Sequence, residues 1–463
     1  MENKNKKEIS RRNFLKTVGV GSVATAAVVS GCKPNNSVSA EGGSIGEVPS
    51  DKMTYRINHN TGDKVSLLGY GCMRWPLRQK PDGSGEEIDQ DTVNDLVDYA
   101  IAHGVNYFDT APVYIRGWSE TATGIALKRH PRDKFFIATK ASNHRGPYDL
   151  QECISMYRKS MSNLQVDYLD YYLLHSIGGG DGIEQFKKRF IYNGFLDFLL
   201  KERTAGRIRN LGWSFHGDVK VFDHALAMDT HWDFVMIQMN YQDWQHADGV
   251  RNVNAEYLYG ELAKHNIPTV VMEPLLGGRL ARVNSQALTL MKEVHPEDSA
   301  AKWAFRYAGT PENVLTVLSG MVYMEHLQEN IRTYAPLAPV DDQEYKILEK
   351  VTEILVDSDY IQCTECQYCM PCPYRVDIPA IFTHYNRIIS AGQKLESAND
   401  ENYKEARRAF LVGYDRSVPK LRQSNHCIGC NLCKPRCPQK IDIPEEMRRI
   451  DAYTEQLKQR KDF

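Results

Sequence analysis

The chemistry open to this chain is set first by eight cysteines near its C-terminus: Cys363, Cys366, Cys369 and Cys372, then Cys427, Cys430, Cys433 and Cys437. The last cysteine of each run is followed by proline, Pro373 or Pro438. Three thiolates two residues apart wrap a short loop around one iron–sulfur cube, and a fourth that leaves the loop before a proline ligates the other cube. The expected crossed sets are Cys363, Cys366, Cys369 with Cys437, and Cys427, Cys430, Cys433 with Cys372. The second run has C-x2-C-x2-C-x3-C-P spacing, whereas the first has two residues before its last cysteine. Zinc is one competing use, although structural zinc draws its ligands from two separated pairs, often with histidine. Disulfides are another, but so tight a loop disfavours local bridges among all its cysteines. Cys72 and Cys153 stand apart and read as core thiols.

A second set of reactive side chains ends a series of short apolar runs. Asp109, Lys140 and His175 close three successive runs, and Tyr114 follows Asp109 in its loop. The runs are Leu67–Gly71, Asn106–Asp109, Phe135–Lys140, Tyr168–His175, Ile208–Ser214, Phe234–Asn240, Thr269–Glu273 and Val314–Ser319. Amphipathic stretches alternate with them, among them Asp91–Ala102, Asp149–Leu164, Val219–Met228 and Glu256–His265. Eight strands, each followed by helical material, predict an α/β fold, a (β/α)8 TIM barrel. A hairpin, Met53–Asn58 and Lys64–Gly69 around Asn60-Thr61-Gly62-Asp63, precedes it. Barrel enzymes work at the C-terminal ends of their strands, where these four polar residues fall.

Beyond residue 340 the strand rhythm stops. Ile378–Ile389 and Glu401–Val412 read as helices, so residues 52–340 are assigned to the barrel and 341–463 to a small helical iron–sulfur domain, with no internal repeat apparent. A formal charge of −2 with mixed signs gives no basic field for nucleic acid. No run reaches the roughly twenty apolar residues of a membrane-spanning helix.

Ser10-Arg11-Arg12-Asn13-Phe14-Leu15-Lys16 and the apolar stretch Val18–Ser30 resemble a twin-arginine export signal. Val29-Ser30-Gly31-Cys32 resembles a lipobox, which makes Cys32 a candidate lipid anchor. Residues 1–32 thus read as a signal and 33–51 as a flexible linker. The expected location is periplasmic, or membrane-anchored as a lipoprotein.

Phe108-Asp109-Thr110-Ala111 leading to Tyr114, Ile137-Ala138-Thr139-Lys140, and Asp167-Tyr168-Leu169-Asp170-Tyr171-Tyr172-Leu173-Leu174-His175 resemble the aldo-keto reductase family. With Leu68-Gly69-Tyr70-Gly71-Cys72-Met73-Arg74 and the C-terminal cysteines, the likeness extends to the subgroup fused to a ferredoxin-like module with two [4Fe-4S] clusters. The resemblance implies hydride transfer between NAD(P)(H) and a small carbonyl or alcohol substrate. Tyr114 would give the proton, Lys140 would lower the tyrosine's pKa, Asp109 would hold Lys140, and His175 would orient the substrate oxygen.

The resemblance also implies a set of cofactor contacts. These are Gly71, Met73, Arg74, Ser214, Gln238, Glu273, Pro274, Leu275, Gly277, Ser319, Gly320, His326, Glu329 and Asn330. Phe215 stands where the family has Asn in Gly-x-Ser-Asn-Phe. In Ser319–His326 only His326 can become cationic, so NAD(H) is expected to compete with the phosphorylated cofactor. The clusters would serve a one-electron redox partner or hold the domain together. The alternative is an iron–sulfur electron-transfer protein whose barrel binds a ligand or redox partner without carbonyl reductase activity. The Gly178–Gly182 loop, Trp75, Trp118 and Trp244 are candidate pocket walls.

Overall fold

Asn58 turns the chain at the closed end of the molecule. It lies between β1 (Tyr55–Ile57) and β2 (Lys64–Ser66), which pair antiparallel. Its buried amide donates to the Tyr171 hydroxyl at 3.2 Å and to Asn210 Oδ1 at 3.0 Å, so the hairpin seals the bottom of the barrel with its polar groups satisfied. The computed structural model describes residues 47–459, apart from 145, 147, 181, 248–252, 358, 396, 398, 399 and 401. The arginine pair, Cys32 and Asp181 lie outside the described residues.

β3 (Leu68–Gly71) is followed by a small surface hairpin, β4 (Leu77–Gln79) and β5 (Glu86–Ile88), which hydrophobic patterning did not reveal because both strands are short and polar. The remaining strands are β6 (Tyr107–Asp109), β7 (Phe136–Ala141), β8 (Leu169–Ile177), β9 (Ile208–Phe215), β10 (Phe234–Gln238), β11 (Thr269–Met272) and β12 (Val314–Ser319). With β3 they close an eight-stranded parallel barrel, sealed where β12 pairs with β3. Strands of this kind are buried on both faces, which is why they are nearly continuous apolar runs. Tyr107, Tyr171, Leu173, Phe234 and Met236 fill the interior. The helices begin where side chains can cap them: Asp89 accepts from Thr92 N and Asp149 from Gln151 N.

The helix after residue 341 belongs with the barrel, which corrects the expected boundary. Asp341 and Glu344 form a capping box at the start of Asp342–Val356. Glu344 pairs with buried Arg306 from Ala300–Gly309, and Leu348, Val351 and Leu355 join Trp303 and Met291 in one apolar cluster. The rest of the C-terminal region is helical as expected. Ile378–Ser390, Tyr403–Ser417 and Ile443–Gln459 pack Phe382, Tyr385, Phe410, Tyr414 and Met447 into a separate core beside the cysteines. From Val48 onward the chain forms one compact unit.

Candidate functional site

Asp109 ends β6, Lys140 lies in β7 and His175 in β8, so neighbouring parallel strands carry all three to one rim. Lys140 Nζ is ion-paired with Asp109 Oδ1 and donates to Thr110 O at 2.8 Å. It lies 4.8 Å from the centre of the Tyr114 ring. That ring meets His175 edge-on, 6.0 Å between centroids. All four side chains are buried. Tyr114 reaches them because the loop turns sharply through left-handed Ile115 and Arg116.

Burial decides the charge states. It pushes the Tyr114 phenol well above its ordinary value, and the neighbouring Asp109 carboxylate pushes the same way. Desolvation also lowers Lys140, against the pull of Asp109. His175 is driven well down by burial and then by His144, Lys140, His216 and Arg189. The site therefore rests with a protonated phenol and a neutral imidazole. The resemblance implies that Lys140 lowers the phenol's pKa; in this resting site desolvation wins, with the ammonium paired to Asp109.

Several residues around the tetrad escaped the sequence reading. Ser142 Oγ lies 2.6 Å from His175 Nδ1, and the His144 ring packs 4.8 Å from the His175 ring. Arg189 binds the carbonyls of His175 and Ser176 and the side chain of Asn143. His216, one residue past β9, is half-buried, with its Nδ1 buried and unpartnered among the described residues. Ser142, His144 and His216 follow the ends of barrel strands, whereas Arg189 comes from the helix Ile183–Phe190.

The expected cofactor contacts divide. Gly71, Arg74, Ser319 and Gly320 come together, since a Cβ on Gly71 would sit 3.4 Å from the Ser319 carbonyl and one on Gly320 would sit 3.3 Å from Arg74 Cδ. Met73 is half-buried in the same turn. Ser214 and Gln238 lie on adjacent strands, and Ser214 Oγ accepts from Ser176 N at 2.7 Å. Asn330 donates to Ser319 Oγ at 3.0 Å. Glu329 instead accepts from Ser299, and His326 is exposed with its ring against Tyr323. Glu273 Oε2 accepts from Gly277 N at 2.6 Å, bracing the turn that holds Pro274 and Leu275. Phe215, in place of the family's Asn, packs on Phe222. Trp75 is likewise structural, buried with its N–H on Thr123 Oγ1. Gln238 Oε1 is buried and unpartnered among the described residues, so a carboxamide N–H finds an acceptor there. On that ground the residues fit a nicotinamide.

Cys437 joins Cys363, Cys366 and Cys369 around one space, the first of the two expected crossed sets. The Cys363 thiol is pushed up by burial and then by Cys366, Cys369 and Cys437. Cys433 is pushed to about 11, first by burial and then through Cys427, Cys430 and Cys372. Thiolates so crowded need cationic metal to coexist. A small cavity is lined by Cys363, Cys366, Cys369 and Cys437, whereas among the described residues no three metal-binding side chains converge on one point. Four thiols around a space, not around a point, fit an iron–sulfur cube better than a single zinc ion.

The two cysteine loops are copies of each other. Glu365 and Gln367, two and four residues after Cys363, have φ of 54° and 61°; Gly429 and Asn431, at the same offsets from Cys427, have 73° and 62°. Arg375 and Lys440, three residues after Cys372 and Cys437, are also left-handed at 61° and 48°. The sequence carries the same duplication, Cys-Pro-Tyr-Arg-Val-Asp-Ile-Pro at 372–379 and Cys-Pro-Gln-Lys-Ile-Asp-Ile-Pro at 437–444. This corrects the expectation of no internal repeat; eight residues are far shorter than a repeating structural unit of about twenty or more.

Residues 67–353 match the aldo/keto reductase family model, and residues 362–442 match a 4Fe-4S dicluster domain. The chain belongs to the aldo/keto reductase family. It is 31% identical over 167 residues to L-galactose dehydrogenase of Arabidopsis thaliana, covering 35% of this chain and 48% of that enzyme. It is 25% identical over 321 residues to the uncharacterized oxidoreductase YqkF of Bacillus subtilis, covering 62% of this chain and 93% of the relative. The chain thus spans about half the length of the first plant relatives it matches, 44% and 48%. An aldo-keto reductase structure from Bacillus halodurans, in its holo form, superposes with a TM-score of 0.51 at 23% identity, over 65% of this chain and 96% of that one. This likeness carries the barrel fold.

Proposed function

We propose that this aldo/keto reductase family member is an exported, nicotinamide-dependent oxidoreductase acting on a small carbonyl or alcohol, and that it carries two [4Fe-4S] clusters. The cluster of Asp109, Tyr114, Lys140 and His175 at one barrel rim carries the reading. Gln238, Ser214 and the Gly71–Arg74 turn would hold the cofactor, and the nicotinamide, when bound, supplies or accepts a hydride. Tyr114, kept protonated by burial, donates its phenolic proton to the developing alkoxide. The phenolate left behind is then stabilised by the Lys140 ammonium, which Asp109 and Thr110 O hold against its ring. With Ser142 donating to Nδ1, His175 carries its proton on Nε2 and can polarise the substrate oxygen. Oxidation runs the same proton path in reverse.

Replacing Tyr114 by Phe tests the assignment. Turnover with NAD(P)H should fall at least ~100-fold, the low end for general acid catalysis, while nicotinamide fluorescence titration gives an unchanged Kd. Wild-type turnover in that variant removes Tyr114 from the chemistry. Without a cationic partner beyond His326 in Ser319–His326, NAD(H) should bind within roughly a hundredfold of NADP(H), about 2.7 kcal/mol.

One observation favours a second reading, an electron-transfer protein without carbonyl chemistry: Phe215 has replaced the Asn of the cofactor strand. Under that reading no aldehyde, sugar or quinone oxidises bound NAD(P)H. Export rests on the Arg11-Arg12 motif and lipidation on Cys32. Chain found only in the cytoplasm, unlabelled by fatty acid, would exclude both.

A further inference from the structure

The iron–sulfur domain does not merely follow the barrel; its first cysteine loop lies on the barrel's cofactor turn. Arg74 donates to the Thr364 carbonyl. Arg279, from the turn after β11, is held by Gln362 Oε1, and its guanidinium lies 4.8 Å from the centre of the Tyr360 ring. Gly277, at φ 68°, approaches so closely that a Cβ there would lie 2.5 Å from Thr364 Cα.

These contacts join residues that sequence assigned to the cofactor. Arg74 backs Gly320, and Glu273 braces Gly277. The turn Leu275–Gly278 is flanked by two guanidiniums, Arg74 and Arg279, which are the groups suited to a diphosphate by charge and fork geometry. Neither is positioned by the barrel alone. Resting on the nicotinamide reading above, we infer that Gln362 and Thr364 are positioning residues for the dinucleotide site, setting Arg74, Arg279 and Gly277 from the iron–sulfur side. The loop that presents them also presents Cys363 and Cys366, so the cage of the nearer cluster and the diphosphate site share one segment of backbone.

The consequence is reciprocal: what binds at one place must be felt at the other. Q362A removes the side chain that holds Arg279 and leaves every cysteine in place. G277A pushes the two loops apart. With the anaerobically purified full chain, NAD(P)H affinity is read by fluorescence titration, iron by metal analysis, and the reduced clusters by electron paramagnetic resonance. Both variants should bind NAD(P)H at least fivefold more weakly with wild-type iron content, and Q362N should recover part of the loss. Saturating NAD(P)+ should alter the spectrum of one of the two reduced clusters in the wild type and not in G277A. Unchanged affinity in Q362A and G277A, or cluster spectra indifferent to cofactor in the wild type, overturns the inference. If the wild type binds no nicotinamide at all, the functional reading falls and takes the inference with it. Nicotinamide binding with indifferent clusters refutes the inference alone.

Discussion

Lys140 and Asp109 illustrate how a site can be buried and still charged. An ion pair with no exposed surface is costly to desolvate, and removing one partner leaves the other charge stranded, at roughly 3–5 kcal/mol. Asp109 Oδ2 already lacks a hydrogen bond among the described residues, so Asp109 relies on Lys140 alone for compensation. Lys140→Met should therefore lower stability by about that amount and also abolish turnover. Adding Asp109→Leu should recover most of the stability and none of the activity, read by chemical denaturation beside a turnover assay. Full activity in the double variant would show that the pair serves packing only. Buried histidines set a second residue-scale expectation. Burial holds His216 in the barrel and His384 in the iron–sulfur region at about 4, with nearby cations pushing the same way. The unfolded chain takes up these protons near pH 6.5 while the folded chain refuses them until about 4. Their penalty is absent above about 6.5 and grows as pH falls toward 4. Melting temperature should drop over that window, and His384→Phe should blunt the drop.

At the scale of elements, the strands were legible because burial on both faces leaves an unbroken apolar run, and Val314–Ser319 falls where it was expected. Polar β4 and β5 leave no such trace, and neither does the ownership of the helix Asp342–Val356. Its amphipathic pattern says that one face is buried but not against what; the partner is decided by Glu344 finding Arg306. Burial opposes ionisation of Glu344, yet its bonds to Arg306, Asp341 N and His295 hold the carboxyl below its usual range. Glu344→Ala removes a capping group and leaves buried Arg306 with only the Ala338 and Pro339 carbonyls, so the barrel should lose stability, up to about 3–5 kcal/mol. The loss should appear in hydrogen exchange first at residues 342–356; uniform exchange across the barrel would count against a local anchor. The tetrad was legible because strand ends and motif spacing coincide. Ser142, His144 and His216 were not singled out, because a polar residue after a strand is usually only a loop residue. The iron–sulfur copy was present in the sequence as two eight-residue strings, but between the cysteines the loops share little beyond Pro371 and Pro435 and their backbone handedness.

For the molecule as a whole, the two halves hold themselves together by different means. The barrel has a continuous core running from Leu67 to Tyr334. The iron–sulfur region has a small helical core, and domains of that size lean on metal or other cross-links for stability. Several of its cysteines pack against that core, so clusters bound there would close two loops that the apolar residues alone leave open. Metal analysis under anaerobic conditions should return about eight irons per chain. Stripping them should leave four unligated thiols in each cage and unravel residues beyond about 357, while the barrel, including Asp342–Val356, keeps its helical signal. Limited proteolysis followed by mass spectrometry should then release a barrel fragment ending in the segment between Val356 and Cys363. If the stripped chain resists protease as the loaded chain does, the apolar core is sufficient and the clusters are not the staples of this domain. If cleavage falls within the barrel instead, the packing of Thr364 on Gly277 supports the barrel more than its own core does, and the two halves fold as one.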